Sequence, residues 1–231
     1  MTDTLAEDAS FFQSIKQELA TAQVGDVLDV MGYRHQFLPY GITPMQPHTK
    51  LVGRAMPALE ADIFGEGGSD AKGPLSNRPF GLMMEALDDL KENEVYVATG
   101  GSFQYALWGG LMSTRATHLK AAGAVLNGYA RDASEIEALG FAVFSRGLYA
   151  QDQGVRGKVI DWRCTVEIEG VRVRPGDVVF GDREGVLIIP HEVERDAIEK
   201  ALAKANTENK VADAIKEGMS ACEALSTFGV F

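Results

Sequence analysis

Three polar residues fall within five positions of one another: Arg131, Asp132 and Glu135. Arg carries a planar, permanently charged set of donors suited to a carboxylate or a carbonyl oxygen. Asp beside it offers a hard oxygen ligand of the kind Mg²⁺ and Mn²⁺ take. Glu135 lies three residues further on, and positions i and i+3 of a helix share a face. The two carboxylates could share one metal through water. The same residues also admit a structural reading. Asp is a preferred helix N-cap, Arg131 could form a surface ion pair, and Asp132-Ala-Ser-Glu135 has the spacing of a capping box headed by Asp. The residues alone leave both readings open.

Upstream stands Gly109-Gly110, followed by Leu111 and Met112. A glycine pair opening a helix lets the backbone approach a ligand closely. The free N–H groups of a first helical turn, with the helix dipole, favour an anion. Residues 109–112 are therefore a candidate cradle for a substrate carboxylate, and a plain helix start accounts for them equally well.

These residues need elements to position them. The apolar run Ala124-Val125-Leu126 reads as a buried strand, and residues 132–139 as the helix after it. The C-terminal ends of strands, followed by helix N-termini, are where α/β sheets commonly bind ligands. Further strands are expected at 51–61, interrupted by Pro57, at 94–99 and at 141–145. Helices are expected at 10–22 with Ser10 as cap, at 25–31, at 79–90 and over 104–122 with a break at Gly109-Gly110. Residues 32–49 hold three prolines and read as irregular. Residues 65–79 read as a surface loop, long enough to be either a lid or unstructured. Beyond residue 160 short strands at 166–168, 171–173, 177–181 and 186–189 alternate with turns such as Glu169-Gly170. A long helix at 190–216 and a short one at 219–225 follow. The alternation indicates α/β layering, in one domain over residues 1–231 with helical extensions at both ends.

Composition narrows the functional classes. The 231 residues carry a net charge of −11, which argues against a general nucleic-acid binder. No run of ~18 apolar residues suggests a membrane span. The polar, acidic first ten residues lack the pattern of a secretory signal, so a cytoplasmic protein is expected. Cys164 and Cys222 form no metal-binding pattern and read as reduced, partly buried thiols. His35, His48, His118 and His191 have no partner placed by the sequence and read as structural or surface residues.

Taken in order, several segments carry a family resemblance. They are Ala106-Leu-Trp-Gly-Gly-Leu-Met112, Gly123-Ala-Val-Leu-Asn-Gly-Tyr-Ala-Arg-Asp132, the stretch from Glu135 to Gly147, and the stretch from Arg174 to Val186. The chain resembles the RraA-like proteins (regulator of ribonuclease activity A) and their enzymatic relatives, the 4-hydroxy-4-methyl-2-oxoglutarate / 4-carboxy-4-hydroxy-2-oxoadipate aldolases. The resemblance covers roughly residues 20 to 203. It implies a layered β/β/α sandwich of the phosphohistidine-swivelling type, assembled as homotrimers or hexamers with the site between subunits. It implies a divalent cation, Mg²⁺ or Mn²⁺, and a 2-oxo acid substrate cleaved through a pyruvate enolate by aldol cleavage or oxaloacetate-type decarboxylation. Carried over by position, Asp132 is the direct metal ligand and Arg131 binds the C2 oxygen of a pyruvoyl group. The backbone N–H groups of Gly110, Leu111 and Met112 take its carboxylate.

The chain departs from those enzymes at one point. They usually carry Asp or Glu where this sequence has Gly110, and that acid helps hold metal-bound waters. Glu135 is the candidate to take over its role. The alternative to a lyase is a non-catalytic regulator that binds a protein partner, as in the ribonuclease-inhibiting members.

Overall fold

The computed structural model describes residues 2–63 and 73–230, with side chains described from residue 8. Most of the loop expected at 65–79 lies outside the described residues.

Strand β2 (Leu51–Asp62) is the spine of the main sheet. On one side β3 (Glu94–Thr99), β5 (Gly123–Leu126) and β7 (Val143–Ser145) follow in parallel, and β1 (Thr43–Pro44) closes that edge antiparallel to β7. On its other side β2 takes two antiparallel partners in succession. β11 (Val178–Asp182) pairs with residues 51–54 and β8 (Gly157–Trp162) with residues 58–62. Pro57 faces the gap between them, where its carbonyl accepts from the Arg163 N–H at 2.8 Å. No ladder donor is required there, so the proline does not interrupt the strand as its sequence suggests.

β12 (Gly185–Ile189) pairs antiparallel with β11, and the sheet curls until β1 returns beside both, giving a nearly closed barrel. The curl sorts side chains by alternation. Along β3, Val95 and Val97 point into the barrel with Ile42, Val125 and Phe144, whereas Tyr96 and Ala98 point outward. The hairpin of β9 (Val166–Ile168) and β10 (Val171–Val173) adds its apolar face to the interior. Glu169 (φ 47°) and Gly170 (φ 90°) form its two-residue turn, both in the left-handed region such a hairpin needs.

Two groups of helices cover the outside. α1 (Thr2–Glu18), α2 (Thr21–Val30) and α6 (Glu194–Lys216) pack on Val52, Val178, Phe180 and Leu187. Ser10 lies inside α1 rather than at its start. α1 and α2 are separate because Ala20 is extended and Thr21 is tied by two buried hydrogen bonds to Asp182 on β11. α3 (Met83–Asp88), α4 (Gly110–His118) and α5 (Ala133–Leu139) cover the outward faces of β3 and β5. α7 (Ala221–Phe228) packs on α6.

Three expectations are corrected. The helix expected from 79 begins only at Met83, because Phe80 (φ 60°) and Gly81 (φ 65°) adopt left-handed conformations. The front of the segment read as helix 104–122 is a buried strand, β4 (Ala106–Trp108), paired in parallel with β6 (Tyr129–Ala130). The sequence reading contained no strand at β8. Cys164 is half-buried and Cys222 is exposed, both as free thiols. Among the described residues no helix is long and apolar enough to cross a membrane.

Candidate active site

The site forms where two strands end side by side. β4 runs into α4 through Gly109, and β6 runs into α5 through Arg131 and Asp132. The Arg131 N–H donates to the Trp108 carbonyl at 2.9 Å, which locks the two junctions together. Asp132 then takes a left-handed conformation (φ 58°, ψ 41°), which Asp tolerates better than most residues. Its side chain makes no hydrogen bond to its own helix. Instead Oδ2 accepts from the Gly110 N–H at 3.0 Å. Asp132 therefore caps α4, 22 residues upstream, and not α5.

The glycines are required by this approach. A Cβ at position 109 would lie 2.7 Å from Asp132 Oδ2, and a Cβ at position 110 would run into the Glu135 carboxylate. Glu135 thus places its charge where a side chain at 110 would begin. Asp132 meets the Gly110 N–H, and Glu135 meets the place of a Cβ at 110. The Gly110 N–H, expected to meet a substrate carboxylate, is already engaged by Asp132. Leu111 and Met112 belong to the same first turn, whose N–H groups lack partners within the helix.

Arg131 is held by carboxylates. Its Nη1 lies 2.8 Å from Asp152 Oδ1, and its Nε lies 3.7 Å from Asp132 Oδ2. Asp152 is itself fixed by the Gly154 N–H, which donates to Oδ2 at 2.7 Å. Gly109, Leu111, Met112, Arg131 and Asp132 line a cavity of about 220 Å³. Its remaining wall comes from Phe80, Met83, Met84, Ala106, Leu107, Trp108 and the pair Asp152 and Gln153. Trp108 is braced behind that wall. Its indole N–H donates to Ser113 Oγ at 2.7 Å, and its ring stacks on Phe141 at 5.9 Å. A second hollow of about 320 Å³ opens on the other side of Arg131 and Asp132, beside Leu148 and Tyr149.

Behind Gln153 lies a group the sequence did not reveal. Glu60 is 2% exposed, and its Oε2 accepts from Gln153 Nε2 at 2.5 Å. Its Oε1 and the hydroxyl of nearby Tyr96 are buried without hydrogen-bond partners. Burial pushes the Glu60 carboxyl up to about 8; the Gln153 bond opposes this and the charge of Asp62 adds to it. Burial thus favours the protonated, neutral form of Glu60. Period-two alternation in β2 was the available signal, because it puts Glu60 on the same face as the buried Met56 and Ala58. Asp152 and Gln153 lie in a polar stretch with no periodicity and had no such signal.

The donor set can be tested against a metal. Among the described residues no three His, Cys, Asp or Glu side chains converge. That excludes from these residues a closed cage of the zinc type. One carboxylate in direct contact, with a second acting through water, suits an ion such as Mg²⁺ that keeps several of its waters. Asp132 and Glu135 fit that pattern.

Comparison with known proteins agrees with this architecture. The RraA-like family model, described as Aldolase/RraA, matches residues 21–188. Protein DlpA of Legionella pneumophila is 26% identical over 200 residues, which span 86% of this chain but only 30% of DlpA. A Bacillus cereus protein named "Putative 4-hydroxy-4-methyl-2-oxoglutarate aldolase" is 34% identical over 108 residues, 46% of this chain and 67% of that protein. Among solved structures, RraAS2 of Streptomyces coelicolor, described as an unusual member of the RNase ES inhibitor RraA family, superposes with a TM-score of 0.74. It is 20% identical, with 87% of this chain and 95% of that one covered, a likeness of fold alone. With the model spanning most of the chain, including every residue of the cavity wall, this protein belongs to the RraA-like family.

Proposed function

We propose that the chain is a divalent-metal-dependent carbon–carbon lyase that acts on 2-oxo acids through a pyruvate enolate, as an aldolase, an oxaloacetate-type decarboxylase or both. The observation that carries this reading is the convergence of Arg131 and Asp132 on one cavity beside the N-terminus of α4, with the Glu135 carboxylate next to Gly110. Relatives named as aldolases support the same class.

The residues divide the work. Arg131 donates to the C2 oxygen of the pyruvoyl group. When the C3–C4 bond breaks, C4 leaves as a carbonyl compound, its hydroxyl proton passing to water, or as CO₂. The electron pair moves onto C3 and spreads to the C2 oxygen, where a fixed cation stabilises it most, and a proton taken up at C3 gives pyruvate. Asp152 holds the guanidinium in place. The N–H groups of Leu111 and Met112 take the substrate carboxylate. Asp132 would hold the metal, its Oδ2 already accepting from the Gly110 N–H, and Glu135 would act through water in place of the acid absent at 110. The ion, Mg²⁺ or Mn²⁺, supplies positive charge beside the developing oxyanion when bound.

The reading includes assembly as a trimer or a pair of trimers, with the swivelling-type layering and the site at a subunit boundary. Leu111 at the cavity rim is 85% exposed, and Leu148 and Tyr149 are also exposed beside the second hollow, so apolar surface surrounds the site.

The test is pyruvate release from oxaloacetate and from 4-hydroxy-2-oxo acids with one or two carboxylates, with Mg²⁺, Mn²⁺ or EDTA. Release that needs metal and falls at least a hundredfold in Asp132→Ala is expected. No release from any of them, with no metal bound by the purified protein, overturns the lyase and leaves the protein-binding regulator.

A further inference from the structure

We infer that the cavity selects 2-oxo acids whose distal half is uncharged and mainly apolar, and discriminates against those with a second carboxylate that is not itself the group released. The inference rests on the lyase reading for the placement of the pyruvoyl end at Arg131. What lies beyond that end is read from the wall itself.

Phe80, Met83, Met84, Leu107, Trp108 and Met112 give that wall a mainly apolar surface. Arg131 is its only cation among the described residues, and Asp152 already shares that charge at 2.8 Å. Among the described residues of this chain, a second carboxylate would find no other cation in the wall. It would lie near Asp132 and Asp152 and against thioether and aromatic surface, where an unpaired charge loses its hydration without compensation. An alkyl or aryl group would instead bury apolar area against the same surface. Methionine suits such a wall, because its unbranched, polarizable side chain fits groups of varied shape. Gln153 is the one neutral polar side chain present, and its amide can meet a hydroxyl of the substrate with either end. Glu60 holds that amide from behind.

Equilibrium binding separates this inference from catalysis. The full chain in Mg²⁺ is titrated with 2-oxohexanoate and with 2-oxoadipate, which differ only by a terminal methyl against a carboxylate. Binding is followed by calorimetry. The expected result is at least tenfold tighter binding of 2-oxohexanoate. Equal or tighter binding of 2-oxoadipate, or no binding of either, overturns the inference. A second variant locates the contact. Met84 is half exposed on α3, so Met84→Arg keeps the core and adds a cation to the wall. It is expected to shift the preference at least tenfold towards 2-oxoadipate. An unchanged ratio in that variant overturns the assignment of the wall.

The two readings fail differently. A binding preference for 2-oxohexanoate with no pyruvate released from any substrate removes the lyase and keeps the apolar selectivity. Pyruvate released from the diacid in preference to the monoacid keeps the lyase and removes the selectivity.

Discussion

Glu60→Gln probes the buried acid behind the cavity and has an effect whose sign and size follow from the structure. In the unfolded chain the carboxyl ionises near its ordinary 4.5, and in the folded chain near 8. Between these values the unfolded state has released its proton and the folded state has kept it. The stabilising contribution of the group is therefore fully present below about pH 4.5 and is lost as pH rises to about 8, beyond which it changes no further. Each unit of pH in that window costs ~1.4 kcal/mol. The loss is ~3 kcal/mol between about pH 5 and pH 7, and on the order of 5 kcal/mol over the whole window. Gln is close in shape to the protonated acid and does not titrate. All other groups titrate alike in both proteins, so their contribution cancels when the two are compared. Urea unfolding of wild type and variant at about pH 5, 6, 7 and 8 should show the variant gaining on the wild type with each step. Unfolding free energies that run parallel across the range would refute the claim that Glu60 is held neutral.

Two further outcomes follow from the site. Ser113→Ala leaves the Trp108 indole N–H buried without its acceptor, which should cost ~1–3 kcal/mol in thermal or urea unfolding; a change below ~0.5 kcal/mol would mean that the bond does not brace the wall. Glu135→Ala should weaken Mg²⁺ binding and turnover together, and Gly110→Asp added to it should restore part of both, since that Asp grows into the space the Glu135 carboxylate leaves. Full metal affinity in Glu135→Ala removes Glu135 from the site.

The parts of the site that were legible in the sequence lie at two strand-to-helix junctions. Gly109, Gly110, Leu111 and Met112 sit at one, and Arg131, Asp132 and Glu135 at the other. Local rules for glycine, helix starts and i,i+3 spacing act over that range. The parallel strands β3 and β5 were legible because each is a short apolar run bounded by turn residues. β4 was not, since three apolar residues before a glycine pair carry no period that separates strand from helix. β8 mixes Lys158, Asp161 and Trp162, and its pairing with β2 makes it a strand. It also carries one unmatched residue opposite the Leu59–Glu60 step of β2, a local irregularity beside the buried acid.

Asp132 marks the limit most clearly. Rules for capping run forward, from a residue to the N–H groups two or three positions later, so they assign its carboxylate to α5 or release it to a ligand. The left-handed turn at Asp132 sends the carboxylate to Gly110 instead, and the absence of a side chain at 109 makes room for it. The structural and chemical readings of Asp132 then cease to compete. Oδ2 holds the helix whose first turn faces the cavity, and Oδ1 is the oxygen this bond leaves for the cation that the proposed mechanism would need. In that proposal one residue would position both the carboxylate cradle and a metal-binding oxygen, so replacing it should remove function more completely than replacing Glu135.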